Sequence, residues 1–498
     1  MQNWRMKINF LLRVYVITGF LIACTAASAQ VFDLVVAADG SGDFTGIQAA
    51  LDAVPNNSSA RTLIFVREGT YQEKVILSPS KINVSLIGES PGKVIISWND
   101  YAGKDGMSSA ETYTFWADAN DFYAENISFE NTHGAGAQAL AMRTTGDRMA
   151  FRNCRFLGHQ DTYYAHKRRQ YNLNCFIEGT TDFIYGDATT VFDHCTLNCK
   201  KGGSYITAPA DTKLVSNIPE GKFYHGLLFL DCDVKADADV SAASYYLGRP
   251  WQPDASSVFI HCRLGEHIKP AGWSTWDGNN HLSGCFAEYM NTDAAGNPVD
   301  TSKRAVWSKQ LNQAAVENYY NLVYFLNKPG DAWDPQPVTS SSDIPGNMSS
   351  DGNGLSWSAT DTLAGFMVYR NDSLIAFSET TLYNFTEIPL GPNDFNVRSV
   401  SLTGALSELS QTLQVFGPLD ASGIPLAKSD FRIDGSFLNL PEPGDVFIYS
   451  LSGKLLKQST QEYSMDVSGL PGGIYIVKLK NGFGKVRVQK IFIRSERN

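Results

Sequence analysis

Five times in this sequence a cysteine stands inside the same short frame: FRNCRF around Cys154, NLNCFI around Cys175, FDHCTL around Cys195, FLDCDV around Cys232 and FIHCRL around Cys262. In each frame apolar residues flank a polar residue just ahead of the cysteine: Asn153, Asn174, His194, Asp231 and His261. Two short strands meeting at a bend would have this pattern. A sixth frame, YAENISF, is read as placing Asn126 where the others place cysteine. A β-type unit recurring every twenty to forty residues marks a solenoid, whose repeats bury their apolar faces only by stacking. Stacked here, the units make a parallel β-helix with coils about 4.8 Å apart. The cysteines then form an inward ladder of small buried side chains. Stacked positions fall within disulfide reach, and Cys175 with Cys195 is the candidate bridge.

The repeat pattern begins near VVAADGSGDFTGIQAALDAV (35–54), where a Gly-rich turn precedes a short amphipathic helix suited to capping the open end of the stack. It ends near WDP (333–335), just after SKRAVWSKQLNQAAVENYY, which reads as helical. PQPVTSSSDIPGNMSSDGNG (335–354) reads as a linker, and an alternating stretch then runs to about residue 420. The 42 glycines and 12% aromatic residues suit β structure rich in turns. The fold expected is all-β: a right-handed parallel β-helix followed by two small β-sandwich modules.

The first 29 residues read as a signal peptide. Arg5, Lys7 and Arg13 precede the apolar run VYVITGFLIAC, and ASAQ offers cleavage after Ala29. LIAC also resembles a lipoprotein box with Cys24 as the modified residue, so an outer-membrane lipoprotein is the alternative to a secreted or cell-surface protein. Export permits disulfides, but seven cysteines remain after cleavage, so at least one thiol is free. Net charge is −10 without a basic patch, which argues against a nucleic-acid partner. The scattered histidines lack metal-ligand spacing, so no metal is expected.

Two segments one repeat apart carry the chemistry: GHQDTYYAH with Asp161, and GTTDFIYGD with Asp182. Each sets a carboxylate among aromatic and small residues. In a β-helix that spacing stacks both on one face. Two carboxylates share work when their environments push their pKa values apart. Arg249 in YLGRPW is the natural partner to hold one of them ionised, because its guanidinium is always charged and pairs bidentately. The other, among Tyr163, Tyr164 and Phe183, is more easily protonated. Carboxylates can themselves act as covalent nucleophiles.

With GTYQEKV, AQALAMR, QDT, DFIYG, LGRPW and AGWSTW in this order over residues 32–330, the chain resembles the pectin methylesterase family. It departs modestly: Tyr163 stands where many members carry Leu, and Tyr185 where Phe is common. The resemblance implies a carboxylic ester hydrolase that removes methyl groups from pectin. It assigns Asp182 as nucleophile, Asp161 as general acid then base, Gln160 as oxyanion donor and Arg249 as the residue that orients Asp182. Gln138, Arg249 and Trp251 would contact substrate, Gln138 supporting the oxyanion and Trp251 stacking on a sugar. Tyr71 and Glu73 are expected to be structural, and His159 a turn residue. No cofactor is implied, the partner is pectin, and the protein is expected to act as a monomer.

The remaining chain resembles a fibronectin type III-like module over 335–420 and a C-terminal sorting domain of the type IX secretion pathway over 421–498, which implies contact with secretion machinery. They read as a spacer and an export tag, leaving residues 30–334 as a self-sufficient catalytic unit. Three alternatives stand beside this reading. Paired carboxylates on a β-helix also serve glycosidases that act on pectin. The same chemistry could act on another ester or a thioester. A non-catalytic polysaccharide-binding protein would not require both aspartates and the arginine.

Overall fold

The computed structural model describes residues 31–210, 225–417 and 431–493, apart from 328, 329, 361, 390, 435, 483 and 484. The expected leader over 1–29, with Cys24, lies outside the described residues. Among the described residues, three parallel sheets of eleven, nine and seven strands run the length of the stack. Each full coil gives one strand to each sheet, as with Met149–Arg152, Arg155–Leu157 and Tyr163–Ala165. The next coil repeats this with Arg169–Leu173, Phe176–Gly179 and Thr181–Gly186. The two coils pair in register, Met149 on Gln170, Arg155 on Phe176 and Tyr163 on Ile184.

The polar residue of the recurring frame makes the bend. Asn153, Asn174, His194, Asp231 and His261 have φ of 52°, 54°, 52°, 51° and 54°. Asn, Asp, His and Gly enter that left-handed region more readily than other residues, which explains the residue types at these positions. Asn126, at φ 59°, belongs to this bend series rather than to the cysteine series. Glu125 pairs with Arg152, so Asn126 stacks on Asn153 and Ile127 continues the ladder below Cys154. The ladder thiols point to carbonyls of the preceding coil, Cys154 to Ala124 O at 3.4 Å and Cys195 to Asn172 O at 3.4 Å. The seven described cysteines are buried and free, so the expected Cys175–Cys195 bridge is absent. Inside the stack, rings repeat the coil spacing, with Phe192 on Phe229 at 4.7 Å and Phe229 on Phe259 at 4.3 Å.

The helix Ile47–Ala53 closes the N-terminal end, burying Ile47, Ala50 and Leu51. Its N-cap, Gly46, has no side chain to offer, and Glu73 replaces it from the next coil. The Glu73 carboxylate accepts from the N–H of Ile47 at 2.8 Å and of Gln48 at 2.9 Å, a favourable place for negative charge. Tyr71 is buried, its hydroxyl donating to Arg67 O at 2.9 Å. The stretch expected to be helical near residue 310 is helical only over Gln313–Tyr319, capped by Asn312. Lys309–Gln310 instead pairs as a strand on the eleven-stranded sheet.

Residues 335–354 are not a linker. Gln336–Thr339 is a helical turn, and Gly346–Ser350 is already a strand of the next module. That module packs a three-stranded antiparallel sheet on a four-stranded one around Trp357, Phe366, Val368 and Val397. It also sits directly on the β-helix. Met367, Tyr369, Leu374, Val400 and Leu406 share a cluster with Leu63, Phe65, Ile87, Tyr123 and Ala150 of the eleven-stranded sheet. A buried ion pair crosses the joint. Glu125 holds Arg152 at 3.1 Å and accepts from Tyr123 Oη at 2.7 Å and from Leu406 N at 3.1 Å, while Arg152 donates to Leu406 O at 2.9 Å. The module is therefore part of the β-helix's packing, which corrects its reading as a spacer. The last module pairs Arg432–Asp434, Phe437–Tyr449, Leu455–Asp466, Gly473–Asn481 and Val486–Ile493 into one antiparallel sheet with its own apolar cluster.

A chain ending at Asp334 loses the Leu406 partners of Glu125 and Arg152 and uncovers Phe65, Ile87 and Tyr123. Each large apolar side chain uncovered gives up about 1.5–3 kcal/mol of burial, so Tm should fall by at least about 5 °C relative to the full chain in thermal unfolding. An unchanged Tm would mean that the joint contributes nothing to stability.

Candidate active site

The expected site residues converge on the outer face of the seven-stranded sheet. Its strands Met142–Thr144, Tyr163–Ala165, Thr181–Gly186, Tyr205–Pro209 and Tyr246–Gly248 lie side by side. Gln138 and Gln160 pair across neighbouring coils just before two of these strands, with Ala139 N donating to Gln160 O at 3.1 Å. Asp161 N donates to Thr181 O at 3.1 Å, and Tyr163 pairs with Ile184, so Asp161 lies one coil below Asp182. Both aspartates occupy left-handed backbone, at φ 64° and 51°. The register between Thr181 and Ile184 shifts against the following strand, and such an irregularity re-aims the side chain it carries, here Asp182. His159 holds the preceding turn, its carbonyl accepting from Thr162 Oγ1 at 3.1 Å and Thr180 N at 2.9 Å.

Arg249 arrives from the far side. Its backbone N–H donates to Thr207 O at 3.0 Å. Gly248 permits that approach, because a Cβ there would stand 2.0 Å from Thr207 Oγ1. The guanidinium grips Asp182 with both arms, Nε to Oδ1 at 3.0 Å and Nη2 to Oδ2 at 2.6 Å. Its plane lies between two rings, with Tyr205 at 3.9 Å and Trp276 at 3.8 Å. The sequence reading gave Tyr205 and Trp276 no role. Trp276 stood in the quoted AGWSTW, but its contact with Arg249 is made only in three dimensions. Trp251 is half-buried at the rim, its ring centroid 5.8 Å from that of Tyr185 in an edge-on arrangement, and Tyr185 stacks on Tyr164 at 4.4 Å.

Asp161 is 7% exposed and Asp182 5% exposed. Burial, and next the charge of Asp182, push the Asp161 carboxyl well above the usual carboxylate range, against the Gln160 side chain and Arg249. Burial also pushes Asp182 up, but the hydrogen bonds and charge of Arg249 oppose it. Of the two, Asp182 is therefore the more readily ionised and Asp161 the more readily protonated. The arrangement offers a fixed carboxylate, a neutral carboxyl one coil away and the Gln160 amide beside that carboxyl, parts that acyl transfer requires. Elsewhere among the described residues, Asp193, His194 and Asp231 bring ligand-type atoms within 4.8 Å of one another. Their geometry is accounted for by His194 Nδ1 against Asp193 at 2.6 Å and by the Tyr171 hydroxyl donating to Asp193 at 2.7 Å.

Comparison with known proteins gives matches over two segments. The family model described as Pectinesterase matches residues 33–328, and that described as Secretion system C-terminal sorting domain matches residues 427–494. Pectinesterase 31 of Arabidopsis thaliana is 37% identical over 287 residues, covering 55% of this chain and 86% of that protein. Pectinesterase 4 of the same plant is 34% identical over 303 residues, which is 59% of this chain but only 50% of that relative, so the chain spans about half its length. Among solved structures, the pectin methylesterase from carrot is similar at 32% identity and a TM-score of 0.55, covering 59% of this chain and 93% of that one.

A carboxyl whose pKa is raised by folding contributes stability that is present below its unfolded pKa and lost as pH rises through the folded value. Asp161 should therefore destabilise the protein increasingly from the ordinary carboxylate range upward. In Tm measurements from about pH 4 to pH 8, Asp161→Asn should match the parent at the acid end. It should exceed the parent by at least about 2 °C at neutral pH. A gap that stays constant or reverses would contradict a raised Asp161.

Proposed function

The chain belongs to the pectinesterase family, and from that premise we propose that it hydrolyses the methyl esters of pectin, giving pectate and methanol. The single observation that supports this reading best is the bidentate Arg249–Asp182 pair one coil from the buried Asp161. Asp182, held ionised, attacks the ester carbonyl carbon. Negative charge develops on the carbonyl oxygen, and the Gln160 and Gln138 amides donate to it. Neutral donors suit that oxygen because they stabilise developing charge without trapping the carboxylate product. The carbon–oxygen bond to the methoxy group breaks, and Asp161 gives up its proton so that methanol leaves. An acyl anhydride with Asp182 remains. Asp161, now ionised, takes a proton from water as the water attacks that anhydride, which returns Asp182 as carboxylate and releases the uronic acid.

Trp251 at the rim offers a ring face for a sugar. Tyr205 and Trp276 act through Arg249 as positioning residues, fixing the plane of its guanidinium. The export reading completes the proposal: a cleaved leader over 1–29, a catalytic β-helix over 30–334, a fibronectin type III-like module over 335–420 and sorting of the chain through 421–498 to the cell surface or medium, where pectin is met.

Incubation with highly methylated pectin should release methanol without new reducing ends; reducing ends without methanol would favour the glycosidase alternative. Asp182→Asn should abolish acyl transfer, and Asp161→Asn should lower turnover by about 10²–10⁴-fold. Methanol release by Asp182→Asn at the parent rate would remove the nucleophile assignment. Trp276→Ala should lower kcat roughly tenfold with KM changed little, and Trp276→Phe should restore most of it, because a ring on a guanidinium contributes about 0.5–2 kcal/mol. A KM effect without a kcat effect would place Trp276 in substrate binding instead.

A further inference from the structure

The bend positions carry more chemistry than the fold asks of them. In the lower coils the left-handed residue is asparagine three times running, at Asn126, Asn153 and Asn174. In the next three coils it is His194, Asp231 and His261. Asparagine would meet the backbone demand there equally well. These three residues lie thirty or more positions apart in the chain, so their spacing hides the relation between them. Strand register reveals it. His194 N donates to Leu230 O at 3.0 Å and Asp231 N to Ile260 O at 3.0 Å, so each bend stands on the next. The row runs along the corner between the eleven-stranded and nine-stranded sheets, away from the seven-stranded sheet of Asp161 and Asp182.

All three side chains are exposed. Ligand-type atoms of Asp193, His194 and Asp231 lie within 4.8 Å of one another, and His261 Nδ1 stands 3.9 Å from Asp231 Oδ1. Ligands held at about 2.0–2.1 Å around a tetrahedral zinc ion are roughly 3.3 Å apart, a gap that exposed side chains close by turning, without backbone movement. His194 is also presented in a suitable tautomer. Its Nδ1 lies 2.6 Å from Asp193 Oδ1, and Asp193 Oδ2 accepts from the Tyr171 hydroxyl at 2.7 Å. A carboxylate only accepts, so the neutral ring keeps its proton on Nδ1 and its lone pair on Nε2. Imidazoles that bind metals are commonly backed by a carboxylate in this way.

We propose that His194, Asp231 and His261 bind one divalent transition ion, of the zinc and copper class, across three successive coils, with Asp193 orienting His194. Two imidazoles and one carboxylate favour such ions over calcium and magnesium, which take oxygen ligands. Three protein ligands leave a fourth position for water. The ion ties three bends to one another and resists separation of the coils that carry them. Its part is in stability rather than in ester cleavage, because the row lies on a different face from the aspartates.

The test is calorimetric titration of the untagged full chain, freed of metal with a chelator, with Zn²⁺, Ca²⁺ and Mg²⁺ in turn. One Zn²⁺ should bind per chain, and Ca²⁺ and Mg²⁺ should not displace it at equal concentration. His194→Asn, Asp231→Asn and His261→Asn each place the residue of the lower bends in the same left-handed backbone, so each variant should keep the parent Tm in chelator. Each should weaken Zn²⁺ binding at least about tenfold. Saturating Zn²⁺ should raise the parent Tm by at least about 2 °C, and that of the variants by less than half as much. A parent that does not bind Zn²⁺ would overturn the proposal. So would affinities within about twofold of the parent in all three variants, which would place the ion on other side chains. Ca²⁺ bound as tightly as Zn²⁺ would overturn the part given to the imidazoles.

Discussion

In-register stacking of coils governs this molecule. A chain that climbs one strand spacing per turn repeats every feature of a coil directly above the last. The bend at each turn therefore demands the same left-handed residue, and each inward position demands the same small or flat side chain. The bend series Asn126, Asn153, Asn174, His194, Asp231 and His261 follows from that demand. So do the cysteine ladder and the phenylalanine stack. The catalytic geometry inherits the same rule. Asp161 and Asp182 stand one coil apart because the coil is the unit of construction, and Gln138 under Gln160 repeats the relation one coil lower.

Stacking alone would make the two aspartates alike, since both are buried on one face. What separates them is an arginine reaching only one. Arg249 comes from the upper coils and meets Asp182 first, with two aromatic rings fixing the plane of its fork. At Asp161 burial and the charge of its neighbour favour the protonated form and outweigh the Gln160 side chain and the more distant charge of Arg249. A difference of one coil thus becomes a difference of protonation state, which is the difference the proposed mechanism uses for attack by one carboxylate and proton transfer by the other.

The parts of the fold and site legible in the sequence were those written as local, repeated patterns. The cysteine frames announced the solenoid, and the six candidate site residues come together on one sheet face because their motifs sit at coil spacing. Reasoning failed where the signal was not local. Asn126 was misplaced by one residue, because a bend residue and a ladder residue are adjacent and only pairing distinguishes Glu125 opposite Arg152. The candidate disulfide failed because stacking brings cysteines near without requiring a bond, and each thiol found a carbonyl instead. Tyr205 and Trp276 were missed because they are far apart in sequence and converge only on Arg249. Residues 335–354 looked like a linker because Ser, Pro and Gly dominate there, yet these residues also form strand ends and turns.

The misread module shows how the fold constrains the whole chain. A parallel sheet whose strands are apolar on both faces needs both covered. Here the outer face of the eleven-stranded sheet carries a row from Leu63 through Ser85, Tyr123, Ala150, Tyr171, Val191 and Leu228 to Val258, apolar but for Ser85. The lower coils of that row lie under the module of Met367, Val400 and Leu406, and the upper coils lie under Tyr320, Phe325 and Leu326. The two covers meet the same face end to end, the first near Ala150 and the second from Tyr171. Neither cover alone spans the row. The module that follows the β-helix in sequence is thus the second half of a lid that the β-helix begins for itself. The buried Glu125–Arg152 pair lies where that lid meets the sheet, with backbone groups of Leu406 bonded to both members. Such a pair is satisfied only when the cover is in place, so it ties the register of the module to the coil that carries Asn126 and Asn153.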